Sequence, residues 1–244
     1  MICKSCGSEV SPYITECPYC GNRLRKRAPK LDREGRVAEK RKRRTAPPLL
    51  TRLRPDEIPG IRPDSHPYVT AGLTAGGLIG ALLWRTGLGA NNQLEILGKP
   101  GPHWWRLFTA VFTYNNTGYA FVTLATIALF GWLLERRHGP LAVLGLFLVG
   151  GVGGLAATAA FYDVPFALGG NGAALALLCA WVTADLLTVR AGEEVDGDLI
   201  GTAAIAAAVA LMPLAVPGAS WIAGAVGVVA GFAIGLPLAR MAPR

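Results

Sequence analysis

Residues 168–178 read LGGNGAALALL (Leu168 to Leu178), an apolar run of small residues with a single amide side chain, Asn171. Apolar sequence continues to about residue 188 without a polar stripe at the 3.6-residue helical period. A helix that is apolar on every face is buried in a large core or spans a membrane, and a span takes roughly 20 residues. The stretch therefore predicts a membrane-spanning helix and disfavours the alternative, a helix in a soluble core.

Five similar apolar runs surround this one. The six predicted spans lie near residues 68–84, 106–133, 140–161, 167–188, 199–216 and 219–238. The N-terminus is polar and carries cysteines, unlike a secretory signal. Hydropathy thus predicts an all-α polytopic membrane protein in which residues 68–240 form a six-span membrane domain. In the sixth span, the spacing of Gly227, Gly231 and Gly235 predicts a close helix contact.

The excess positive charge lies in the first quarter of the chain. Residues 1–65 hold 16 Lys and Arg against 8 Asp and Glu, whereas residues 66–244 hold 8 of each. In a six-span arrangement, further basic residues fall on the same side as this segment: Arg136, Arg137, Arg190, Arg240 and Arg244. Because Lys and Arg are enriched in cytoplasmic loops, we expect an integral plasma-membrane protein with both termini in the cytoplasm.

The N-terminal segment carries two Cys-x-x-Cys pairs, each followed by glycine: Cys3, Cys6, Cys17 and Cys20. Four thiolates at this spacing can hold one zinc ion tetrahedrally. Two disulfides are disfavoured in the cytoplasm, and a redox dithiol needs only one such pair. Residues 1–24 resemble the zinc-ribbon family, and a fully ligated zinc ion there is expected to be structural.

Residues 25–67 form a basic, Pro-containing segment with low hydrophobicity, which is typical of a disordered linker. Basic residues next to a membrane span attract anionic lipid headgroups. Aromatic residues do not alternate with the charges, as they do in many single-strand-binding segments. We therefore expect the linker to contact anionic headgroups, and nucleic acid is the disfavoured alternative.

Four motifs in the membrane domain resemble, in their order, those of the rhomboid family of intramembrane proteases. They are WWRLFTAVF at 104–112, GWLLERRHG at 131–139, GGNGAALAL at 169–177 and GAVGVVAG at 224–231. The resemblance covers about residues 68–238. It implies a rhomboid-like six-helix bundle, which the cysteine segment would join as a small cytoplasmic zinc ribbon.

The resemblance also implies that the catalytic positions are degenerate. Rhomboids use a serine on span four and a histidine on span six, and here Asn171 and Gly224 occupy those positions. In the second span, Tyr114 and Tyr119 stand where the family has histidines, and Thr123 stands at an asparagine position. An asparagine and a glycine cannot form an activated Ser–His pair. We therefore expect a pseudoprotease without catalytic residues.

No replacement for the missing groups is evident. The histidines lie at predicted span ends or in loops: His66, His103 and His138. Beyond Ser65 the sequence has one serine, Ser220, and beyond the linker one lysine, Lys99, so a Ser–Lys dyad would require these two to meet.

Two further expectations concern the degenerate positions themselves. We interpret Asn171 as the cap of the fourth span, and contact with a ligand is a compatible alternative. Gly224 is expected to let two helices pack closely, so that an imidazole there would clash.

Three functions from different classes remain. The favoured hypothesis is a catalytically inactive rhomboid-like protein that binds transmembrane segments or other membrane partners and presents a zinc ribbon. The second is an active rhomboid-type peptidase that uses unidentified residues. The third is a channel or transporter, which the near absence of charged residues deep in the spans disfavours.

Overall fold

The computed structural model describes residues 2–11, 14–24, 66–87, 94–99, 101–192 and 197–241. The chain divides into two compact units, Met1–Thr51 and Arg52–Arg244. Apart from His66 and Pro67, the predicted linker at 25–67 lies outside the described residues.

The small unit consists of two similar turns. The Cys3 amide donates to the Ser8 carbonyl and the Cys17 amide to the Asn22 carbonyl, each at 2.9 Å. The glycine after each second cysteine has a left-handed backbone, which only glycine adopts without strain: Gly7 (φ 70°) and Gly21 (φ 69°). The two turns therefore present their cysteines in the same local geometry.

The described part of the large unit is mainly helical, with one two-stranded antiparallel pairing. Its elements are α1 (Tyr68–Arg85), β1 (Ile96–Leu97), α2 (Arg106–Val111), α3 (Thr117–His138), α4 (Pro140–Phe147), α5 (Gly153–Phe161), β2 (Phe166–Ala167), α6 (Asn171–Arg190), α7 (Leu199–Ala210), α8 (Met212–Ala215) and α9 (Trp221–Met241). A π-helical turn, Leu148–Val152, joins α4 and α5 into one continuous helix.

Four of the described helices are long and apolar enough to cross a membrane: α3, the continuous helix Pro140–Phe161, α6 and α9. The other two predicted spans correspond to α1, with 18 residues, and to the shorter apolar stretch Leu199–Ala215. The predicted all-α polytopic membrane architecture is confirmed.

The prediction of one continuous second span at 106–133 is wrong. The short helix α2 ends at Val111, and α3 begins only at Thr117. Asn116 has an extended backbone, and its side chain accepts a hydrogen bond from the Tyr119 amide at 3.0 Å. Such an N-cap satisfies a free amide and starts a new helix. Tyr114 therefore lies in the connection before α3 rather than within the second span.

The centre of the large unit is α6. Every residue of its first half, from Asn171 to Ala180, is buried. The helix contacts α3, the continuous helix Pro140–Phe161, α7 and α9. Its uniformly apolar sequence thus reflects neighbours on several sides rather than exposure to lipid all round.

The predicted glycine contact on the sixth span is confirmed, and its partner is α6. A Cβ atom on Gly227 would overlap the carbonyl oxygen of Gly172. A Cβ atom on Gly231 would lie 2.6 Å from the Ala176 carbonyl oxygen, which is also too close. The backbones of α6 and α9 therefore touch, because the facing residues have little or no side chain.

The first turn of α1 is attached to the end of α3 through one carboxylate. Glu135 is 5% exposed and accepts hydrogen bonds from the amides of Val69 (3.0 Å) and Thr70 (2.7 Å). The Thr70 hydroxyl donates to the same carboxylate at 2.6 Å. A carboxylate is well placed at a helix N-terminus because it satisfies free amides and opposes the helix dipole.

Gly227→Ala is expected to destabilise the protein, whereas Gly145→Ala in α4 serves as a matched control. Overpacking a tight contact typically costs about 1–3 kcal/mol. A Cβ atom on Gly145 meets nothing within 4 Å among the described residues, so the better helix propensity of alanine should leave stability equal or higher. Thermal unfolding in detergent measures both variants, and equal midpoints for the two would contradict the backbone contact.

Candidate functional site

The four N-terminal cysteines converge on one point. Their sulfur atoms all lie within 4.8 Å of one another, and two of the distances are 3.7 Å between Cys3 and Cys20 and 3.6 Å between Cys6 and Cys17. Zinc–sulfur bonds of about 2.3 Å in a tetrahedron place neighbouring sulfurs about 3.8 Å apart. A disulfide needs about 2.05 Å, and all four thiols are free. The cluster can therefore bind a metal ion.

The electrostatics of this cluster also suit a cation. Hydrogen bonds from Ser8 lower the pKa of Cys6 to about 6. A hydrogen bond from the Asn22 backbone lowers the pKa of Cys20, but burial and the neighbouring sulfurs outweigh it and raise that pKa to about 11. The first turn thus favours the thiolate form of Cys6. Ionising Cys20 as well requires a positive charge at the centre of the four sulfur atoms.

The predicted serine and histidine positions face each other between two packed helices. Asn171 is the first residue of α6 and is 1% exposed. A Cβ atom on Gly224 in α9 would lie 3.6 Å from the Asn171 Nδ2 atom. The fold brings the two positions together, and the side chains there are an amide and a hydrogen atom.

The interpretation of Asn171 as a helix cap is wrong. Gly170 is the N-cap of α6, and α6 has no side-chain cap. The Asn171 Nδ2 group instead donates to the Ser220 carbonyl at 2.9 Å, while its Oδ1 atom has no partner among the described residues. The amide therefore ties the start of α6 to the start of α9.

The expectation that Gly224 permits a close backbone contact is also wrong. A Cβ atom there would meet only Leu175 Cδ1 at 3.4 Å and Asn171 Nδ2 at 3.6 Å, which are ordinary van der Waals distances. The close contact lies one turn further along α9, at Gly227. A Cβ atom at position 224 would thus lie beside Asn171 without clashing with a backbone.

The two tyrosines predicted at histidine positions lie beside the loop that precedes α6. Tyr114 and Tyr119 are buried, and their ring centroids are 5.3 Å apart in an edge-to-face arrangement. The Tyr119 hydroxyl donates to the Leu168 carbonyl at 3.2 Å. A Cβ atom on Gly170 would lie 3.0 Å from the Tyr114 hydroxyl. A Cβ atom on Gly169 would overlap the Tyr119 hydroxyl. The tyrosines therefore pack against the loop that precedes α6.

Thr123 lies one helical turn after Tyr119 on the same face of α3. It is fully buried, and its hydroxyl has no hydrogen-bond partner among the described residues. The structure therefore does not join it to Asn171 by a hydrogen bond.

Backbone hydrogen bonds fix the loop before α6. The Leu168 amide donates to the Gly218 carbonyl at 2.9 Å, and the Gly169 amide to the Ala110 carbonyl at 2.7 Å. Just before them, Ala167 pairs with Ile96 in the β1–β2 pairing. The start of α6 is thus held by α2, β1 and the segment before α9.

Ser220 has a structural role that the sequence reading missed. It precedes α9, and its Oγ atom accepts a hydrogen bond from the Ala223 amide at 3.2 Å. The same hydroxyl pairs with that of Thr158 at 2.7 Å. The sequence did contain a signal for this role, because a serine directly before an apolar run is a common N-cap pattern. Lys99 forms an exposed ion pair with Asp163 at 3.8 Å, so the structure does not support a Ser220–Lys99 dyad.

The ring contacts of two histidines also lie away from Asn171. His66 stacks on Tyr68, with ring centroids 5.5 Å apart, and His103 meets the edge of Trp105 at 6.3 Å. His138 is the last residue of α3, at the opposite end of that helix from Tyr119.

A surface groove of about 370 Å³ lies between α3 and α7. Its walls are mainly apolar and include Phe121 and Leu129 of α3 and Ala204, Ile205 and Ala208 of α7. Phe121 is 72% exposed and Leu129 is 46% exposed. The groove therefore offers apolar side chains to whatever lies beside the two helices.

Comparisons with known proteins agree with these motifs. The Rhomboid domain family matches residues 101–241, which is more than half of the chain. The mitochondrial RHOMBOID-like protein 6 of Arabidopsis thaliana is 27% identical over 110 residues, or 45% of this chain. The matched part spans about a third of that relative (32%). The order of the motifs, the helical membrane architecture and the family match together establish that this chain belongs to the rhomboid family.

Proposed function

We propose that this protein is a catalytically inactive rhomboid that holds a transmembrane segment of a partner protein and carries a structural zinc ribbon. The observation that carries the proposal is the Asn171–Gly224 pair, where Asn171 Nδ2 donates to the Ser220 carbonyl. A hydrolytic site of this kind needs a nucleophile within reach of a base. At these facing positions, neither an ionisable nor a hydroxyl-bearing side chain is present.

The peptidase alternative has less support. Ser220 is the one serine beyond Ser65, and its hydroxyl is engaged by Thr158 and by the Ala223 amide. A nucleophile also needs a neighbouring base, and Thr158 cannot serve as one near neutral pH.

The channel or transporter alternative also has less support. The buried polar residues within the described helices are mainly threonines, and several donate to a carbonyl one turn back in their own helix, such as Thr126, Thr158 and Thr183. Glu135, the buried acid of the helices, is satisfied by the first turn of α1. Ion pathways usually require a line of polar or ionisable groups across the membrane.

The groove between α3 and α7 supports binding of a transmembrane segment. The groove is apolar, and one of its walls is α3, which is long enough to span a membrane. The other wall is the shorter helix α7. Helices associate in membranes through close packing, and the alanines of α7 leave room for a partner to approach.

The cysteine cluster supports zinc as the metal. Four thiolates in a tetrahedral arrangement are typical of structural zinc, and every ligand comes from the protein. Such a site stabilises the small unit and leaves no open position for catalysis.

The wild-type chain is expected to cleave no transmembrane substrate, and single restorations should also stay at background. Asn171→Ser lacks a base and Gly224→His lacks a nucleophile, and groups of this kind act as a unit. The double variant should be weak at best, because a missing oxyanion donor typically costs roughly 100- to 1000-fold. Cleavage of a purified substrate in proteoliposomes and labelling by a serine-directed phosphonate measure this.

Gly224→Ala is the matched control for folding, since the added Cβ atom meets only ordinary contacts. Robust wild-type cleavage that is lost in Asn171→Ala or Ser220→Ala would refute the inactive assignment and favour the peptidase.

The purified full chain is expected to contain one zinc ion. Replacing Cys3 or Cys17 by serine should remove the metal, whereas Cys179→Ser should not, because Cys179 is buried in α6 and lies outside the cluster. Zinc affinity should fall as pH falls, because protons compete for the thiolates. Elemental analysis and competition with a chelator measure both effects, and full zinc content in Cys17→Ser would exclude the four-sulfur site.

A photo-crosslinking residue at Phe121 or Ala208 is expected to capture an apolar segment of about 20 residues from a membrane partner. The same residue at Leu141 is the control, because Leu141 is 82% exposed but belongs to α4. Peptide mapping of the adducts in native membranes identifies the segment captured. Equal yields at all three positions, or adducts with lipid alone, would contradict binding at the α3–α7 groove.

A further inference from the structure

A second apolar groove, the α1–α3 groove, lies between α1 and α3. It has a volume of about 340 Å³, and its walls include Pro67, Ala71, Ala75, Leu78, Ala128 and Trp132. From Pro67 to Leu78 it follows α1 for about 16 Å at 1.5 Å per residue. Its length and apolar walls suit an extended acyl chain.

A cation stacks on one of the residues that line this groove. The Arg136 guanidinium carbon is 4.8 Å from the centroid of the Trp132 ring, which itself lines the groove. The Arg136 Nε and Nη1 atoms are buried and have no hydrogen-bond partner among the described residues. The one ion pair in the described part of the chain joins Lys99 to Asp163, so Arg136 has no carboxylate partner there.

A buried guanidinium donor without an acceptor is costly, and stacking on an indole ring offsets only part of that cost. Since Glu135 is occupied by the α1 amides, the neighbouring acid does not neutralise Arg136. The planar guanidinium can turn on the indole face and direct these donors to an anion beside Trp132. Phosphate oxygens are its best-matched acceptors.

The adjacent Arg137 provides a contrast. Its Nε atom is also buried without a partner among the described residues, but its guanidinium carbon lies 5.4 Å from the ring centroid of Trp181 in α6, so it faces a different helix. Successive residues on a helix are turned by about 100°, which places the two arginines on different flanks of α3. One arginine therefore stacks on a tryptophan of the α1–α3 groove, while the other stacks on a tryptophan of α6.

We propose that the α1–α3 groove binds an anionic phospholipid, with an acyl chain along α1 and the headgroup phosphate on Arg136. Charge complementarity selects the occupant, because the groove is mainly apolar and a cation stacks on one of its lining residues. This site shares no lining residue with the α3–α7 groove, and it does not depend on the proposed loss of proteolysis.

The test titrates the detergent-solubilised full chain with phosphatidylglycerol and, separately, phosphatidylcholine, and resolves the first bound lipid by native mass spectrometry. Arg136→Gln is expected to weaken phosphatidylglycerol binding about fivefold, the effect of one basic group at a lipid headgroup. Arg136→Lys should recover part of the loss. Arg137→Gln is the matched control, since it removes the same charge from the other flank and keeps the basic N-terminal segment intact.

Ala75→Phe tests the acyl part of the site, because Ala75 is exposed and lines the groove away from the charge. It should weaken both lipids. Unfolding midpoints monitor the fold of each variant. Equal losses in Arg136→Gln and Arg137→Gln, unchanged binding in Ala75→Phe, or wild-type binding of the two lipids with equal affinity would each overturn the proposal.

Discussion

The backbone contact between α6 and α9 is the constraint on which the rest of the membrane unit depends. The Gly172 carbonyl occupies the space that a side chain at Gly227 would need. Because nothing larger than hydrogen fits between the helices, their relative register is fixed. One turn before Gly227, the same face of α9 carries Gly224, which therefore lies opposite Asn171. The candidate site is thus a geometric consequence of the glycine contact.

That geometry gives the Asn171 amide a structural partner. Its Nδ2 group donates to the first carbonyl before α9, and its Oδ1 atom has no partner within the described chain. A buried unsatisfied acceptor costs about 1–3 kcal/mol, and a typical hydrogen bond contributes about 1 kcal/mol. The asparagine is therefore no better than neutral for stability, and its value lies in the fixed connection between the two helix starts. In the proposed inactive protein this connection replaces the pairing of nucleophile and base.

Features that depend on neighbouring residues could be predicted from the sequence, and features that depend on distant partners could not. The cysteine turns follow from local spacing, and the glycine contact from a repeat of four residues. The break before Thr117 was missed because hydropathy averaged over Asn116, although asparagine is a common helix cap. The role of Asn171 was missed for a different reason. Its partner, Ser220, is distant in the chain, so a local cap was the simpler interpretation.

The end of α3 gives the GWLLERRHG motif a physical meaning. A Cβ atom on Gly131 would lie 2.9 Å from Thr70 Cγ2, so the glycine admits α1. One turn later, Glu135 accepts hydrogen bonds from the first amides of α1, and Gly139 then ends the helix with a φ of 90°. These residues share one face of α3 because they are spaced by four. The arginines between them must then project to either side, where indole rings of α3 and α6 cover them. Fixing α1 with a buried acid thus leaves two cations without that carboxylate, and Arg136 stacks instead on the tryptophan that lines the α1–α3 groove.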